Sequence, residues 1–215
     1  MDQFKTGRNP KNKTVLFERS VFINCPFDDD YKPLLKPLLF TLKKLDFIPR
    51  IALERNDSGE VRLNKIKELI EAAKFGIHDL SRAKSKNVEE YFRQNMPFEL
   101  GMDLWCRDYH RDKKYREKKI LILEQEKYST QKALSDLSFA DCKCHNGEAE
   151  ELVYLIRNWF EENGFPISKS ASSLWDDYNI FYAELYDCKI KEGFTNKDLD
   201  KLSIAEFIRY IDEIS

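Results

Sequence analysis

One glutamate in the sequence stands where a carboxylate could act on a sugar. Glu99 belongs to the segment NMPFELG (residues 95–101), which reads as the opening turn of an apolar helix. Cleavage of an N-glycosidic bond passes through an oxocarbenium-like centre, so a carboxylate near the anomeric carbon can serve as nucleophile or stabiliser. A glutamate in a first helical turn can also simply favour the helix dipole. The surrounding motifs favour the chemical role.

Two further groups of polar residues follow predicted strands. Asp79 ends the third strand, where its carboxylate can bond a ribose hydroxyl or orient the attacking group; a loop or N-cap aspartate is an equal alternative. Asp57, Ser58 and Gly59 follow the second strand, and a glycine there lets backbone N–H groups approach a sugar or phosphate. The same three residues can form a capping turn, and the two interpretations are compatible.

Aromatic and cationic side chains near these positions suggest a nucleotide ligand. Asn24, Pro26 and Phe27 leave the first predicted strand, where Phe27 can stack on a base or nicotinamide ring or, as is somewhat favoured, pack in the core. Arg82 and Arg93 flank a long polar loop and can hold a pyrophosphate through bidentate contacts. Solvated loop charges are the simpler alternative for the two arginines.

The histidines and cysteines indicate structure more than chemistry. His78 lies inside a strand-like run, which favours a hydrogen-bonded core histidine over a proton shuttle. The five cysteines are irregularly spaced and odd in number, so we expect reduced thiols and no disulfide framework. The cluster Cys142-Lys143-Cys144-His145 contains soft ligands but lacks a second pair, so packing thiols are favoured over a metal site.

Apolar segments of strand length alternate with helix-period segments, which predicts an α/β fold around a parallel sheet. We expect a flavodoxin-like sheet of five strands in the order 2-1-3-4-5, with ligands beyond the carboxyl ends of the strands. The predicted strands are residues 19–25, 47–53, 75–80, 120–124 and 139–144. The predicted helices begin near residue 28 and then span residues 60–73, 96–108, 131–137 and 148–163.

Three regions of the chain are distinguished by composition. Residues 1–18 are predicted to be a polar N-terminal arm, residues 19–167 the α/β domain, and residues 168–215 a C-terminal helical extension. The two or three helices of the extension are too short to be stable alone, so they must dock on the domain or on a partner chain. The polar loop over residues 81–95 has the length of a lid or specificity element.

Composition limits the partners. Lys and Arg number 36 against 38 Asp and Glu, a formal charge of −2, so no overall field favours nucleic acid or an anionic membrane. Apolar stretches are far shorter than the roughly 20 residues of a membrane span, and the polar N-terminus lacks the apolar core of a secretory signal. We expect a cytoplasmic protein.

Together the motifs resemble the nucleoside 2-deoxyribosyltransferase and TIR-like superfamily, and most closely a group of bacterial TIR-like proteins. The likeness covers about residues 20–165 and rests on the strand leading to Pro26 and Phe27, on Asp79, and on the segment 98–101. It implies that Glu99 and Asp79 are catalytic. It also implies substrate contacts from Asn24, Pro26, Phe27, Asp57, Ser58, Gly59, Arg82, Arg93 and Phe98.

The activity implied by the resemblance is cleavage of the N-glycosidic bond of NAD or a related nucleotide, in bacterial antiphage defence. NAD is then the substrate and no cofactor or metal is needed. Residues 95–97 replace a glycine and threonine of the transferases, which favours hydrolysis or cyclisation of a larger nucleotide over base exchange. A nucleotide-sensing or oligomerisation module and a deoxyribosyltransferase remain the alternatives, and self-association or an activating partner protein is compatible with all three.

Overall fold

A computed structural model describes residues 10–55, 57–82, 94–138 and 140–214, with side chains from residue 15 onward. Its centre is a sheet of five strands in the order β2-β1-β3-β4-β5, and every neighbouring pair is parallel. This confirms the predicted α/β class and strand order. The strands are β1 (Ser20–Asn24), β2 (Ile48–Ile51), β3 (Phe75–Asp79), β4 (Lys119–Glu124) and β5 (Lys143–Cys144).

Helices cover both faces of the sheet and continue beyond it. None of the helices within the described ranges is long and apolar enough to cross a membrane. The helices are α1 (Pro10–Arg19), α2 (Lys32–Lys44), α3 (Arg62–Glu71), α4 (Asn95–Tyr109), α5 (Ser129–Ala133), α6 (Ala149–Glu162), α7 (Ala171–Lys191), α8 (Asn196–Asp200) and α9 (Ile204–Ile214). Short 3-10 turns occupy Asp29–Tyr31, Ala52–Glu54, Lys113–Glu117 and Ser135–Leu137.

The alternation of side chains along β1 separates the two layers. All five residues of β1 are buried, and successive side chains of a strand point to opposite faces of the sheet. Val21 and Ile23 join the larger core with α2, α6, α7 and α9. Phe22 joins a smaller core on the other face, which α3 and the end of α4 cover. The C-terminal helices therefore complete the first layer by docking on the α/β domain.

Several elements differ from the expectations. A helix forms over Pro10–Arg19, where only a polar arm was expected. Val61, expected to face inward, is 62% exposed because α3 begins only at Arg62. The expected fifth strand shrinks to Lys143–Cys144, because the residues before it pack on the cluster around Ile122 instead of extending the ladder. Phe139, part of that expected strand, lies outside the described residues.

A fully buried ion pair fastens α4 to the sheet. Lys118 Nζ lies 3.1 Å from Asp103 Oδ1, and neither side chain is exposed. The same ammonium group donates to the backbone carbonyls of Ile70, at 2.9 Å, and Ala73. Three oxygen neighbours match the three donors of a lysine. The end of α3 is thereby tied to α4 and to the start of β4.

From Asp103 the contacts continue across the sheet to the first turn of α4. His78 Nε2 lies 3.0 Å from Asp103 Oδ2, and His78 Nδ1 lies 3.0 Å from Asn24 Nδ2. The Asn24 amide also donates to the carbonyl of Met96, at 2.8 Å. Because the amide has two hydrogens, it donates one to His78 Nδ1, so His78 Nε2 carries the proton that faces Asp103. We call Lys118, Asp103, His78 and Asn24 the buried polar chain.

Gly76 should be essential to this arrangement. A Cβ atom added at Gly76 would overlap Asp103 Oδ2, whereas one added at Gly101, on the exposed face of α4, would meet no atom within 4 Å. We expect Gly76→Ala to lower the free energy of unfolding by about 3 kcal/mol, because it displaces a buried charge. Gly101→Ala should raise it by about 1 kcal/mol through helix propensity. Urea unfolding measures both; equal stability of Gly76→Ala and the wild type would contradict the prediction.

Candidate functional site

Three carboxylates converge where β1 and β3 end. The Cys25 thiol, directly after β1, is buried, and burial raises its pKa well above the ordinary value. The negative charges of Asp79, Glu99 and Asp28 raise that pKa further. Cys25 follows the end of β1, Asp79 is the last residue of β3, and Asn24 bonds the Met96 carbonyl in the first turn of α4, the helix that carries Glu99. The predicted site residues Asp79 and Glu99 are thus brought to one edge of the sheet, as the parallel fold requires.

Asp79 is held by four hydrogen bonds and is 1% exposed. Its Oδ1 accepts from the backbone N–H of Ser81, at 2.9 Å, and from the Ser81 hydroxyl. Its Oδ2 accepts from the Tyr31 hydroxyl, at 2.5 Å, and from His145 Nε2, at 3.0 Å. Burial alone would raise the pKa of Asp79, but the bonds from His145, Ser81 and Tyr31 lower it overall. Asp79 is therefore an anion whose oxygens already have protein partners.

His145 orients Asp79 but cannot activate Ser81. The backbone N–H of Gly147 donates to His145 Nδ1, at 3.0 Å, so the proton of the ring is on Nε2. The Ser81 hydroxyl also lies 3.0 Å from Nε2. A serine nucleophile needs an unprotonated imidazole nitrogen to take its proton. Ser81, His145 and Asp79 therefore form a structural cluster and not a hydrolase triad.

Glu99 has a different environment. It lies in α4, three residues after Met96, whose carbonyl is held by Asn24, and it is 6% exposed. Burial raises the pKa of Glu99, and Arg62 partly offsets this with a guanidinium nitrogen 3.5 Å from the carboxylate. The Arg62 side chain is 57% exposed. Among the described residues, Arg62 is the one cation within 4 Å of Glu99, so this carboxylate borders the surface beside an exposed partner.

The predicted residues of the first loop, and Arg82 after β3, have contacts within the fold. Asn24 is buried in the polar chain, and Pro26 is buried beside it. Phe27 is partly buried and packs against both cores, which matches its alternative as a core aromatic. Arg82 makes a bidentate contact with Asp28, at 2.7 and 3.2 Å, so its charge already has a partner. These residues shape the edge of the sheet around the carboxylates.

The remaining predicted residues lie further out. Asp57, Ser58 and Gly59 are exposed, and Asp57 accepts a bond from the backbone N–H of Gly59, at 2.9 Å, which closes a local turn. Phe98 is exposed and, with Trp105, lines an apolar groove of about 440 Å³ between α3 and α4. Arg93 and residues 83–93 of the polar loop lie outside the described residues.

Sequence reasoning missed the partners of the two carboxylates. Tyr31, Ser81 and His145 surround Asp79, and Arg62 pairs with Glu99. A usable signal existed for His145 alone, because it directly follows the last strand and so lies at the same edge as Asp79. No group of three or more metal-ligating side chains occurs in the part of the chain that the structure describes.

Comparisons of the chain with protein-family models, with curated proteins and with solved structures give no match. The resemblance to the TIR-like superfamily therefore rests on the motifs alone.

The hydrogen bonds to Asp79 should make stability pH-dependent. Because the pKa of Asp79 is lowered in the folded protein, its contribution is complete above the ordinary value of 3.8 and is lost as the pH falls through the folded value. We expect Asp79→Asn to lower the free energy of unfolding by about 3 kcal/mol at neutral pH. The deficit should shrink toward pH 3.

Urea unfolding of both proteins between neutral and acidic pH measures this change. Asp176→Asn, at an exposed position of α7, is the matched control and should change stability by less than about 0.5 kcal/mol at neutral pH. A deficit of Asp79→Asn that is the same at every pH would show that the Asp79 charge contributes nothing.

Proposed function

We propose that the protein cleaves the N-glycosidic bond of NAD or a related nucleotide, with Glu99 as the reacting carboxylate. The observation that carries this proposal is the environment of Glu99. Its carboxylate is nearly buried at the edge of a parallel sheet where ligands commonly bind, and it borders the surface beside the exposed guanidinium group of Arg62. A carboxylate whose pKa is raised by burial at such an edge is a candidate for chemistry.

Burial is what would make Glu99 effective. Departure of nicotinamide leaves positive charge on the ribose, and a carboxylate in a poorly hydrated place stabilises that charge more strongly than one in water. Arg62 favours the ionised form of Glu99, because its positive charge acts against the effect of burial. The contact of Asn24 with the Met96 carbonyl fixes the start of α4 and hence the position of the carboxylate.

Asp79 contributes to this proposal as a positioning residue. Each of its two oxygens accepts two hydrogen bonds from the protein. A carboxylate can accept about four hydrogen bonds in total. A ribose hydroxyl could bond Asp79 only if one of these bonds opened. While all four hydrogen bonds are present, Asp79 holds Tyr31, Ser81 and His145 together.

The wider setting is proposed from the resemblance alone. It comprises a cytoplasmic enzyme of bacterial antiphage defence that self-associates or responds to an activating partner protein. The first alternative is a nucleotide-binding module of the same fold without turnover. The satisfied state of Asp79 and the pairing of Arg82 with Asp28 favour that alternative, because both leave fewer groups for a reaction. Base exchange by a deoxyribosyltransferase is the second.

Glu99→Gln is the central test of the proposal. It keeps the size of the side chain and removes its charge, so we expect the release of nicotinamide from NAD to fall roughly 100-fold or more. Chromatography with mass detection, over a series of protein concentrations, measures the products. Glu151→Gln, on the exposed side of α6, is the matched control and should keep wild-type activity.

Three results would redirect the assignment. Full activity of Glu99→Gln would remove Glu99 from the reaction. NAD binding without turnover in the wild type, weakened in Glu99→Gln, would select the binding module. Product formation that requires an added acceptor base, with a panel of nucleosides and deoxynucleosides, would select the transferase.

The pH dependence of activity should report the Arg62 contact. Because burial raises the pKa of Glu99, activity that needs its anion should fall on the acid side at a pH above the ordinary value of 4.5. Arg62→Gln removes the charge that lowers this pKa, so we expect the acid limb of kcat/KM to move up by about one pH unit. Arg209→Gln, exposed on α9, is the control. An unmoved limb in Arg62→Gln would contradict the assignment.

A further inference from the structure

A second cavity, of about 680 Å³, lies between the start of α2 and the C-terminal helices α7 and α8. It belongs to the layer of α2, α6 and α7, whereas Glu99 lies on α4 in the opposite layer. Its volume is in the range of small-molecule sites. The side chains used in the argument are Lys32, Lys36, Trp175, Tyr182, Lys197 and Lys201, all of which line it.

Lys36 is the most unusual side chain of this cavity, because it is charged and only 9% exposed. Its ammonium group donates to the Tyr182 hydroxyl, at 3.1 Å, and lies 4.9 Å from the centre of the Tyr182 ring. Within the described ranges, no carboxylate lies within 4 Å of Lys36 Nζ. A buried ammonium with a hydroxyl and ring faces as neighbours gains free energy when an anion joins it.

The charges around the cavity favour an anion as well. Four lysines and two aspartates line it. Lys32 is neutralised locally, because it pairs with Asp29 Oδ1, at 2.7 Å, and donates to the carbonyl of Asp200, at 2.8 Å. Lys197 and Lys201 are exposed beside it. Three lysines then stand against the carboxylate of Asp200, with Lys36 inside the cavity and Lys197 and Lys201 at the rim, so the net charge of the lining is positive.

One wall of the cavity is aromatic. Along α7, Trp175 stacks on Tyr178 with ring centres 5.5 Å apart and planes 25° apart. Tyr178 in turn lies 5.9 Å from Tyr182, at 31°. A further planar ring can extend such a stack, so this wall suits a flat ring better than a flexible chain. The wall thus complements the lysines, since one holds an anion and the other a flat apolar group.

We propose that this cavity binds a nucleoside monophosphate, with the phosphate at Lys36 and the rim lysines Lys197 and Lys201, and with the base against Trp175. The two halves of such a ligand match the two kinds of wall. The site is separate from Glu99, and the proposal does not rest on the proposed function. It also assigns a purpose to the C-terminal helices, which supply both the aromatic wall and the lysines of the rim.

Isothermal titration calorimetry of the full chain tests the site with AMP, GMP, CMP and UMP, and with adenosine and inorganic phosphate as separate halves. We expect at least one nucleotide to bind tighter than either half by roughly tenfold or more. Lys36→Met should weaken the binding of that nucleotide roughly tenfold or more, because it keeps an unbranched apolar side chain and removes the ammonium group. Lys132→Met, exposed on α5, is the control and should bind like the wild type.

Two further variants keep the result interpretable. Lys201→Ala changes an exposed side chain, cannot unfold the protein, and should weaken binding by roughly threefold. In Glu99→Gln, the part of the nucleotide binding that Lys36→Met removes should persist. The proposal is overturned if no nucleotide binds at millimolar concentration, or if Lys36→Met and Lys201→Ala both bind normally. It is also overturned if Glu99→Gln abolishes binding while Lys36→Met retains it.

Discussion

The position of the candidate site depends on one buried ion pair, between Asp103 and Lys118. Two opposite charges without exposure are tolerated only when each has its full set of partners, and removing one partner typically costs about 3–5 kcal/mol. Here the backbone carbonyls at the end of α3 accept from the Lys118 ammonium group, and the imidazole of His78 bonds Oδ2 of Asp103. The pair therefore ties together α3, α4, β3 and the start of β4, and through Asn24 it also reaches the turn that carries Glu99.

The structure contains two aspartate and histidine pairs built in the same way. His78 faces Asp103 and His145 faces Asp79, each through Nε2, and each ring accepts an N–H at Nδ1. Neither imidazole has a free nitrogen to remove a proton. Glu99 instead pairs with the exposed guanidinium group of Arg62. The carboxyl end of the sheet thus combines two buried aspartate–histidine pairs with one carboxylate, Glu99, that is nearly buried and has an exposed partner.

The fold was predictable because apolar runs and helix periods are local properties, and a parallel sheet places the ends of its strands together. The polar contacts could not be predicted, because they join residues that are far apart in the sequence. His145 follows Asp79 by 66 positions, and Asp103 follows His78 by 25. No periodicity marks such pairs. The burial of Glu99 could not be predicted either, because it depends on how α4 packs beside Arg62. The helix over residues 10–19 was missed because its composition is polar.

Gly76 gives the buried ion pair a consequence for how the chain can vary. A methyl group at position 76 fits only if position 103 carries a side chain shorter than aspartate. Shortening Asp103 alone, however, leaves the buried ammonium group of Lys118 without its counter-charge. Removing Lys118 first strands the carboxylate instead. Each single step passes through a less stable protein, so these three positions form an epistatic unit whose members change together or not at all.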